Sequence, residues 1–328
     1  AAGGNGDAHL GPNRTRYLAD MHLVRLAAAL LILGTTTPLA GQGAFRPRLS
    51  RPVFTVDTVH PPFATRPTAT RTDALLPAHR IVAFYGNPLS RRMGILGELD
   101  PEPMLARLDS VAAEWAVADS GHRVRPALHL IVTVAQADSG RDGQYRLRHS
   151  DALIERVAGW AAPRGWLLFL DIQPGRSPVV SEVERLARWL ARPDVNLAID
   201  PEFTMPADGV PGRRIGTVDA AVINAVIDRL AAIVDAERLP PKVLVVHRFT
   251  NAMLTNHEQI RADPRVQVVI HMDGFGAPDL KRSIYRHIVA DRPVQFAGIK
   301  LFYKNDRPML QPAEVVALRP VPLYVQYQ

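Results

Sequence analysis

Eight short apolar segments, spaced between residues 80 and 328, constrain the fold of this chain more than any other feature. Each is rich in β-branched or other apolar residues and has the length of a buried strand. Their sequences are RIVAFYG (80–86), ALHLIVTVA (127–135), WLLFLDI (166–172), VNLAID (195–200), KVLVVHR (242–248), VQVVIHM (266–272), FAGIKLF (296–302) and PLYVQYQ (322–328). Runs that are apolar at nearly every position indicate strands buried on both faces, as in a parallel sheet covered by helices.

Helical patterns lie between the apolar segments. The clearest predict helices over residues 101–118, 181–191 and 217–236. Ser181 and Glu184 have the spacing of a capping box, and Thr217 is the expected N-cap of the third helix. Eight strands that alternate with helices predict a (β/α)8 TIM-like barrel over residues 80–328. A doubly wound open sheet is the alternative, but no glycine-rich nucleotide-binding pattern follows the first strand.

The eighth apolar segment reaches Gln328, where the given sequence ends. The predicted architecture is therefore an α/β fold, a (β/α)8 barrel lacking the last helix, with an extended N-terminal arm. Without that helix, an apolar groove would lie beside the first and last strands. We expect part of the arm, residues 53–80, to cover this groove, and a partner protein is the alternative cover.

Residues 1–40 have the layout of an export signal. From Met21 the chain runs through Arg25 into an unbroken apolar stretch over 26–33, and then into small and polar residues that end at Ala40. This order is typical of a secretory signal peptide, and the stretch is shorter than the roughly 20 apolar residues of a membrane span. The pattern predicts an exported, periplasmic, membrane-associated protein. A buried helix of the fold and an uncleaved anchor are the alternatives.

Residues 41–79 differ in composition from everything that follows and predict an arm separate from the barrel. In residues 41–80 there are six prolines, and six arginines against two aspartates give a net charge of +4 out of the chain's +7. Proline-rich sequence favours extended structure, and a disordered tether is the alternative. The arginines expected to bind a partner are Arg46, Arg48, Arg51, Arg66 and Arg71. They suit an anionic membrane surface or an acidic membrane protein complex, whereas the nearly neutral barrel lacks the basic stripe of a nucleic-acid-binding protein.

Polar residues follow the ends of the predicted strands, where barrels of this class carry their functional groups. Asp200 and Glu202 follow the fourth strand, and both face the barrel mouth if the strand continues past Pro201. Two neighbouring carboxyl groups have pKa values that move apart, so that one is protonated and the other charged, as glycosidic bond cleavage requires. The candidate catalytic residues are Glu202, Asp200, Asp171 and Asp273. The predicted polar ring also contains Tyr85, Asn87, Gln136, Gln173, His247, Arg248, His271, Lys300, Lys304 and Gln326.

The segment that ends in Asp200 and Glu202 resembles the chitinase-like glycoside hydrolases, whose fourth barrel strand ends in a D-x-x-D-x-D-x-E motif. These two residues match the final D-x-E. The resemblance implies a TIM barrel that acts on glycans, with Glu202 as general acid and Asp200 as its orienting partner. The chain departs from the motif at residues 195–198, which lack the earlier aspartates, and its eighth strand has no tryptophan to stack on a sugar. The pattern is therefore also that of a degenerate, non-catalytic relative.

Cofactor chemistry has little support in the sequence. The chain contains no cysteine, which excludes a thiolate metal site, a cysteine nucleophile and a disulfide. His247 and His271 are weak metal candidates, but no H-x-H pair follows the first strand, and single histidines at strand ends are typically hydrogen-bonded structural groups. Lys300 is expected to pair with Asp273, and a Schiff-base lysine is the alternative. The sequence predicts neither a bound metal nor a cofactor.

Two functions remain open from the sequence. The first, which the incomplete motif and the arginine-rich arm favour, is an extrinsic, non-catalytic structural subunit that docks an enzyme-derived barrel onto a bacterial membrane protein complex through the arm. A photosynthetic reaction-centre and antenna complex is one example of such an assembly. The second is an exported glycoside-hydrolase-like enzyme that uses Asp200 and Glu202 on a glycan substrate. The sequence alone does not decide whether the protein is an enzyme.

Overall fold

Eight parallel strands close into a barrel in the computed structural model, which describes residues 70–328. The barrel strands are β1 (His79–Gly86), β2 (Arg123–Ala135), β4 (Leu167–Ile172), β5 (Val195–Ile199), β7 (Lys242–Arg248), β9 (Val266–Met272), β10 (Phe296–Leu301) and β11 (Tyr324–Tyr327). β1 pairs with both β2 and β11, so that Ile81 lies opposite Arg125 on one side and Tyr324 on the other. The predicted (β/α)8 barrel is confirmed, and each barrel strand lies at a predicted segment.

Three short strands lie outside the barrel wall. β3 (Arg146–Arg148) pairs antiparallel with the end of β2, and β6 (Val218–Asp219) pairs in parallel with β8 (Leu254–Thr255). All three lie in loops that follow the carboxyl ends of barrel strands. They give these loops hydrogen-bonded structure at the end of the barrel where functional groups are expected.

Helices join the strands and cover the outside of the barrel. They are α1 (Ile95–Glu98), α2 (Pro101–Ala118), α3 (Asp151–Ala161), α4 (Val179–Arg185), α5 (Ala187–Leu190), α6 (Ala220–Glu237), α7 (Pro278–Tyr285) and α8 (Pro312–Val316). The bounds of α2 are those predicted from its apolar stripe, which buries Met104, Leu108 and Trp115. An apolar stripe of this kind identifies a helix from the sequence, because one face of the helix must pack on the sheet.

The predicted starts of two helices are wrong. Ser181 does not cap α4, because that helix already begins two residues earlier, and Leu186 separates it from α5. Thr217 does not cap α6, because the chain first passes through β6. Asp219 is the N-cap instead, and its side chain accepts a hydrogen bond of 2.9 Å from the backbone N–H of Ala221. Both errors lie at helix ends, where capping-type residues occur close together in the sequence.

Side chains alternate along each strand between two apolar cores. On β2, Leu128 and Leu130 face outward and pack against the helices, whereas Ala127 faces the barrel interior. Phe169 and Val245 also belong to the inner core. The inner core is mainly apolar toward the amino ends of the strands, with Gln267 as a buried polar member, and gives way to histidine and charged side chains toward the carboxyl ends. This division places the polar interior in the half of the barrel where active sites of this fold occur.

Leu76 fills the amino-terminal end of the barrel. Its side chain is fully buried in the inner core, and its backbone N–H and C=O both bond to the side-chain amide of Gln267, at 3.0 and 2.5 Å. Residues 70–78 were predicted to belong to the arm, but Leu76 within this segment packs in the barrel interior. The predicted cover of the groove by residues 53–80 stays a prediction, because residues 53–69 lie outside the described residues.

A cavity of about 440 Å³ lies outside the barrel wall beside β11, at the side where the groove is predicted. α2 and α8 contact each other at this side of the barrel. The cavity lining is mixed and not purely apolar, and it includes Arg107, Glu114, Tyr303, Met309 and Tyr327.

Several predictions fall on residues 1–69, which the structure does not describe. These are the signal-like segment, the boundary between residues 40 and 41, and four of the five partner-binding arginines: Arg46, Arg48, Arg51 and Arg66. The fifth, Arg71, is paired with Asp73 at 2.7 Å on the surface. Within residues 70–328, none of the helices is both long enough and apolar enough to span a bilayer.

Candidate functional site at the barrel mouth

Inward-facing polar side chains near the carboxyl ends of the strands form one internal polar cluster. We define this cluster as His129 on β2, Asp171 on β4, His247 on β7, His271 on β9, Asp273 just after β9, and Lys300 on β10. Five of these side chains are completely buried, and Asp273 is 7% exposed. They meet because inward positions of parallel strands converge inside the barrel.

Asp171 lies between two histidines of the cluster. Its Oδ2 atom is 3.4 Å from Nε2 of His129 and 3.5 Å from Nε2 of His247. Among the described residues, neither carboxylate oxygen of Asp171 and neither Nε2 atom has a hydrogen-bond partner of good geometry. The three groups thus face one another across a short gap at the polar centre of the barrel.

His247 connects this centre to the rest of the cluster. Its Nδ1 atom is 3.2 Å from Oδ2 of Asp273 and 3.1 Å from Nδ1 of His271. The predicted pairing of Lys300 with Asp273 is confirmed, with Nζ 3.2 Å from Oδ1 of the aspartate. The ammonium group also lies 3.6 Å from the centre of the Tyr85 ring, a distance at which the ring face attracts a cation. Lys300 and Asp273 therefore neutralise each other inside the barrel.

Residues of β11 hold the ring of His129. Its Nδ1 atom is 2.5 Å from the hydroxyl of Tyr324 and 2.9 Å from the side-chain amide of Gln326. One face of the imidazole ring stacks on the ring of Phe169, with the two ring planes 8° apart and their centres separated by 5.7 Å. These contacts fix the direction in which Nε2 of His129 points, toward Asp171.

Burial and the charges of neighbouring groups shift the pKa values of the cluster residues in different directions, so their protonation states differ. Burial lowers the pKa of His129 to about 4, so this imidazole is neutral at pH 7. Burial would also lower the pKa of His247, but the charges of Asp171 and Asp273 raise it above its ordinary value. Burial opposes ionisation of Asp171, yet the charge of His247 and the contact with His129 lower the pKa of this carboxyl group. The centre therefore favours a charged carboxylate beside a charged His247.

Asp200 and Glu202, the predicted carboxylate pair, do not lie on a continuing strand. β5 ends at Ile199, and residues 201–203 form a 3-10 turn. Asp200 caps this turn, because its Oδ1 accepts a hydrogen bond of 3.1 Å from the backbone N–H of Glu202. The expectation that both side chains share one face of a strand past Pro201 is therefore wrong, since proline and the cap turn the backbone.

The two carboxyl groups are nonetheless buried and electrostatically coupled. The side chains of Asp200 and Glu202 are 1% and 4% exposed. Burial, helped by the charge of Glu202 and opposed by that of His247, raises the pKa of Asp200 to about 8. Asp200 is therefore mainly protonated at neutral pH, which is the state that a general acid requires.

Other members of the predicted polar ring lie outside the cluster. Asn87 contacts His149, at 2.7 Å from its Nε2 atom. The guanidinium of Arg248 donates to backbone carbonyls of the loop after β7. Lys304 is exposed and pairs with Glu98 at 2.9 Å, and Gln136 contacts the backbone of its own strand. Gln173 does lie at the edge of the cluster, since its side-chain nitrogen is 3.5 Å from the hydroxyl of Tyr85.

His129 belongs to the cluster but was not predicted, because the prediction considered only polar residues at the ends of strands. It lies in the middle of β2, six residues before the end of that strand. The signal that could have found it is alternation: Ala127 and His129 share the inward face of a strand whose other residues here are apolar. A histidine on that face has no solvent to hydrate it and must have polar partners inside the barrel.

Access to these groups is restricted in this structure. None of the cluster residues is more than 7% exposed, and neither Asp200 nor Glu202 exceeds 4%. A general acid must come within hydrogen-bond reach of the group that it protonates. The arrangement can hold protons, charges or a small ion, whereas a sugar chain needs an opening that these exposures do not provide.

Comparisons with known proteins identify no family for this chain. No protein-family model matches the chain, and no curated protein matches it. Among solved structures, the chain is similar to a ruminal GH26 endo-β-1,4-mannanase, with 10% sequence identity and a TM-score of 0.40. The match covers 83% of this chain and 66% of the mannanase chain, just under two thirds of its length. This likeness to a glycoside hydrolase is weak and assigns no function to the chain.

Proposed function

We propose that this protein is an exported, non-catalytic barrel subunit that its arginine-rich N-terminal arm attaches to an acidic membrane protein complex. The closed barrel mouth is the observation that carries the proposal. Charged groups are present there, but Lys300 pairs with Asp273 and Asp171 lies between histidines, with almost no exposed surface. A fold that carries catalytic-type groups without access for a substrate suits a protein whose role is binding.

The charge distribution supports attachment through the arm. Residues 41–79 carry a net charge of +3 in only 39 residues, whereas the 249 residues of 80–328 also carry +3, and Arg80 is buried there in a pair with Asp119. Each basic side chain near an anionic membrane surface contributes about 1 kcal/mol to binding. Several arginines in one short segment therefore give an attachment that the nearly neutral barrel does not. A bacterial photosynthetic reaction-centre and antenna complex belongs to the class of assembly that we propose.

Replacing the five arm arginines with glutamine tests this attachment. Full-length protein is added to native membranes, and the bound fraction is measured by co-sedimentation at increasing salt. The matched control replaces five exposed barrel arginines: Arg92, Arg123, Arg141, Arg156 and Arg213. We expect the arm variant to bind more than tenfold more weakly than the control variant, with binding by the wild type decreasing as salt rises. Equal binding by the two variants would contradict attachment through the arm.

A glycoside-hydrolase-like enzyme is the second candidate. The specific observation in its favour is Asp200, which is protonated at neutral pH beside the carboxyl group of Glu202. Such a pair could supply a general acid and a charged carboxylate if the loops over the mouth opened.

Substitution of Glu202 separates the two candidates. Glu202→Gln keeps the shape of the side chain and removes its charge. The enzyme hypothesis predicts that the wild type releases reducing sugar from a panel of soluble glycans and that this variant loses at least 100-fold of the rate. The subunit hypothesis predicts no turnover by either protein and unchanged membrane binding by the variant. Turnover by the wild type that Glu202→Gln abolishes would overturn the non-catalytic proposal.

A further inference from the structure

The centre of the internal polar cluster contains buried donor atoms that contact one another but make no hydrogen bond of good geometry among the described residues. We propose that His129, His247 and Asp171 bind one divalent transition-metal ion, of which zinc is the best match. The donors are Nε2 of each histidine and the carboxylate of Asp171, and these atoms all lie within 4.8 Å of one another. The site lies inside the barrel and is independent of the attachment through the arm.

The spacing of the donors fits a small coordination sphere. Zinc binds imidazole nitrogen at about 2.0–2.1 Å and carboxylate oxygen at about 2.0–2.2 Å in tetrahedral sites. Two donors at those distances and at the tetrahedral angle lie roughly 3.4 Å apart. Oδ2 of Asp171 is 3.4 Å from Nε2 of His129 and 3.5 Å from Nε2 of His247. An ion can thus occupy the gap between the three side chains without a large backbone movement.

The same atoms lack other partners among residues 70–328. Nε2 of His129, Nε2 of His247 and both oxygens of Asp171 are buried without a hydrogen bond. A buried polar atom without a partner costs about 1–3 kcal/mol, and a charged group costs more. Four such atoms face the same gap, so their free-energy costs add up at one place in the protein. Coordination of an ion by both imidazoles and one carboxylate oxygen would satisfy three of the four atoms, and a water in the fourth tetrahedral position would donate to the other oxygen.

The outer contacts of the two histidines direct their Nε2 atoms toward this gap. Asp273 lies 3.2 Å from Nδ1 of His247 and can accept its proton, which leaves the lone pair of Nε2 for a metal. Nδ1 of His129 lies 2.5 Å from the hydroxyl of Tyr324 and 2.9 Å from the side-chain amide of Gln326. The hydroxyl can accept the Nδ1 proton, and so can the amide oxygen of Gln326, which is otherwise without a partner among the described residues, once the amide nitrogen and oxygen exchange places. A carboxylate behind a metal-binding histidine is a common feature of zinc sites, because it fixes the ring and raises its basicity.

The donor chemistry limits the kind of ion. Two imidazoles with one carboxylate suit zinc, and also manganese, iron and cobalt, whereas calcium and magnesium prefer all-oxygen sites. All three side chains are completely buried and lie on strands of the barrel wall. Three protein donors leave a fourth position on the ion, but the complete burial of all three side chains does not open that position to a substrate. We therefore assign the ion a stabilising role that links β2, β4 and β7.

The competing arrangement contains no metal. In it, a protonated His247 lies between Asp171 and Asp273, and the cluster is an internal ion-pair network. The two arrangements differ in a measurable way, because only the first binds a stoichiometric ion and gains thermal stability from it.

Metal titration of the purified full-length chain, with any affinity tag removed, tests the proposal. The protein is stripped with EDTA, dialysed, incubated with zinc and separated from free ion by gel filtration, and bound zinc is measured by mass spectrometry. We expect about one zinc per chain and a higher melting temperature than that of the stripped protein. Asp171→Asn and His129→Gln should each lose the bound zinc and the shift. Asp273→Asn should weaken binding by about 10- to 100-fold.

His271→Gln is the matched control. It removes a completely buried histidine of the same cluster that contacts His247 through Nδ1 but lies outside the proposed donor set. This variant should still bind one zinc per chain. If the ligand variants do not fold, X-ray absorption of the zinc-treated wild type gives the answer, with a first shell of two imidazoles and carboxylate oxygen expected. Wild type that holds no zinc after gel filtration, or zinc binding that survives His129→Gln and Asp171→Asn, would overturn the proposal.

Discussion

At the residue scale, Asp200 shows how strongly the barrel interior changes ordinary side-chain chemistry. Burial raises its pKa to about 8 from a usual value of 3.8, and neighbouring carboxyl groups add to the effect. Its Oδ1 atom also accepts a hydrogen bond from the backbone N–H of Glu202, so Asp200 caps the turn at residues 201–203 in addition to having an altered pKa. The sequence predicted two coupled carboxyl groups here but not that the cap would turn the chain away from the strand.

Replacement of Asp200 by asparagine should remove a pH-dependent loss of stability. The folded-state pKa is raised, so the unfolded chain ionises Asp200 from about pH 4 upward while the folded chain keeps it protonated up to about pH 8. Stability from this group is therefore present at low pH and decreases as pH rises through that window. Asparagine cannot ionise, and its oxygen can still cap the turn. We expect the melting temperature of Asp200→Asn minus that of the wild type to increase from pH 4 to pH 8, measured in EDTA.

Asp228→Asn is the control for this experiment. Asp228 lies on the surface, where it pairs with Arg261 and its side chain is 61% exposed. Solvent screens this exposed pair, so the melting-temperature difference caused by its substitution should change far less between pH 4 and pH 8 than the difference caused by Asp200→Asn. Equal changes for the two variants would contradict the raised pKa of Asp200.

At the element scale, the barrel strands could be predicted and the details of the mouth could not. Segments such as KVLVVHR and VQVVIHM must be buried on both faces, so their apolar runs identify them without any knowledge of their neighbours. The inward position of His129 depends on the register of β2 within the closed barrel. The turn at residues 201–203 depends on a side-chain cap. Both are tertiary or capping effects that the period of the apolar pattern does not encode.

Leu76→Ala should destabilise the protein by about 2–5 kcal/mol, the usual cost of emptying a buried leucine site. The side chain is fully buried at the amino-terminal end of the barrel, and rigid strands surround the cavity that its removal would leave. Chemical denaturation measures the change in the free energy of unfolding. Leu89→Ala serves as control, because Leu89 is 61% exposed and should contribute little. Equal stabilities of the two variants would show that residues before β1 do not close the barrel.

Asp119→Ala should cost about 3–5 kcal/mol, because it leaves the charge of a completely buried arginine uncompensated. Arg80 on β1 donates from Nε and Nη2 to Asp119 at the end of α2, at 2.9 and 2.5 Å, and stacks over Trp115. The pair thus joins the first strand to the first long helix. Asp100→Ala is the matched control, since that carboxylate is 85% exposed and 4.0 Å from its arginine. A similar free energy of unfolding for both variants, measured by denaturation, would contradict this role.

At the scale of the whole molecule, the barrel and the residues before it differ in their chemistry. The barrel over residues 79–328 buries one cluster of charged groups in its interior, and the residues before it carry most of the net positive charge. In the proposed function the barrel is a stable folded body, whereas the arm provides attachment. The proposed metal site fits this division, because an ion held inside the barrel stabilises that body without requiring access for a substrate.

The most direct test of this account is the composition of the native protein. Native membranes are solubilised in mild detergent, the protein is isolated at its natural abundance, and quantitative mass spectrometry measures what accompanies it. We expect a fixed stoichiometric ratio between this chain and the subunits of one membrane complex, with the arm present and the association lost at high salt. Recovery of a free soluble protein without the arm, and with activity on a glycan, would contradict it.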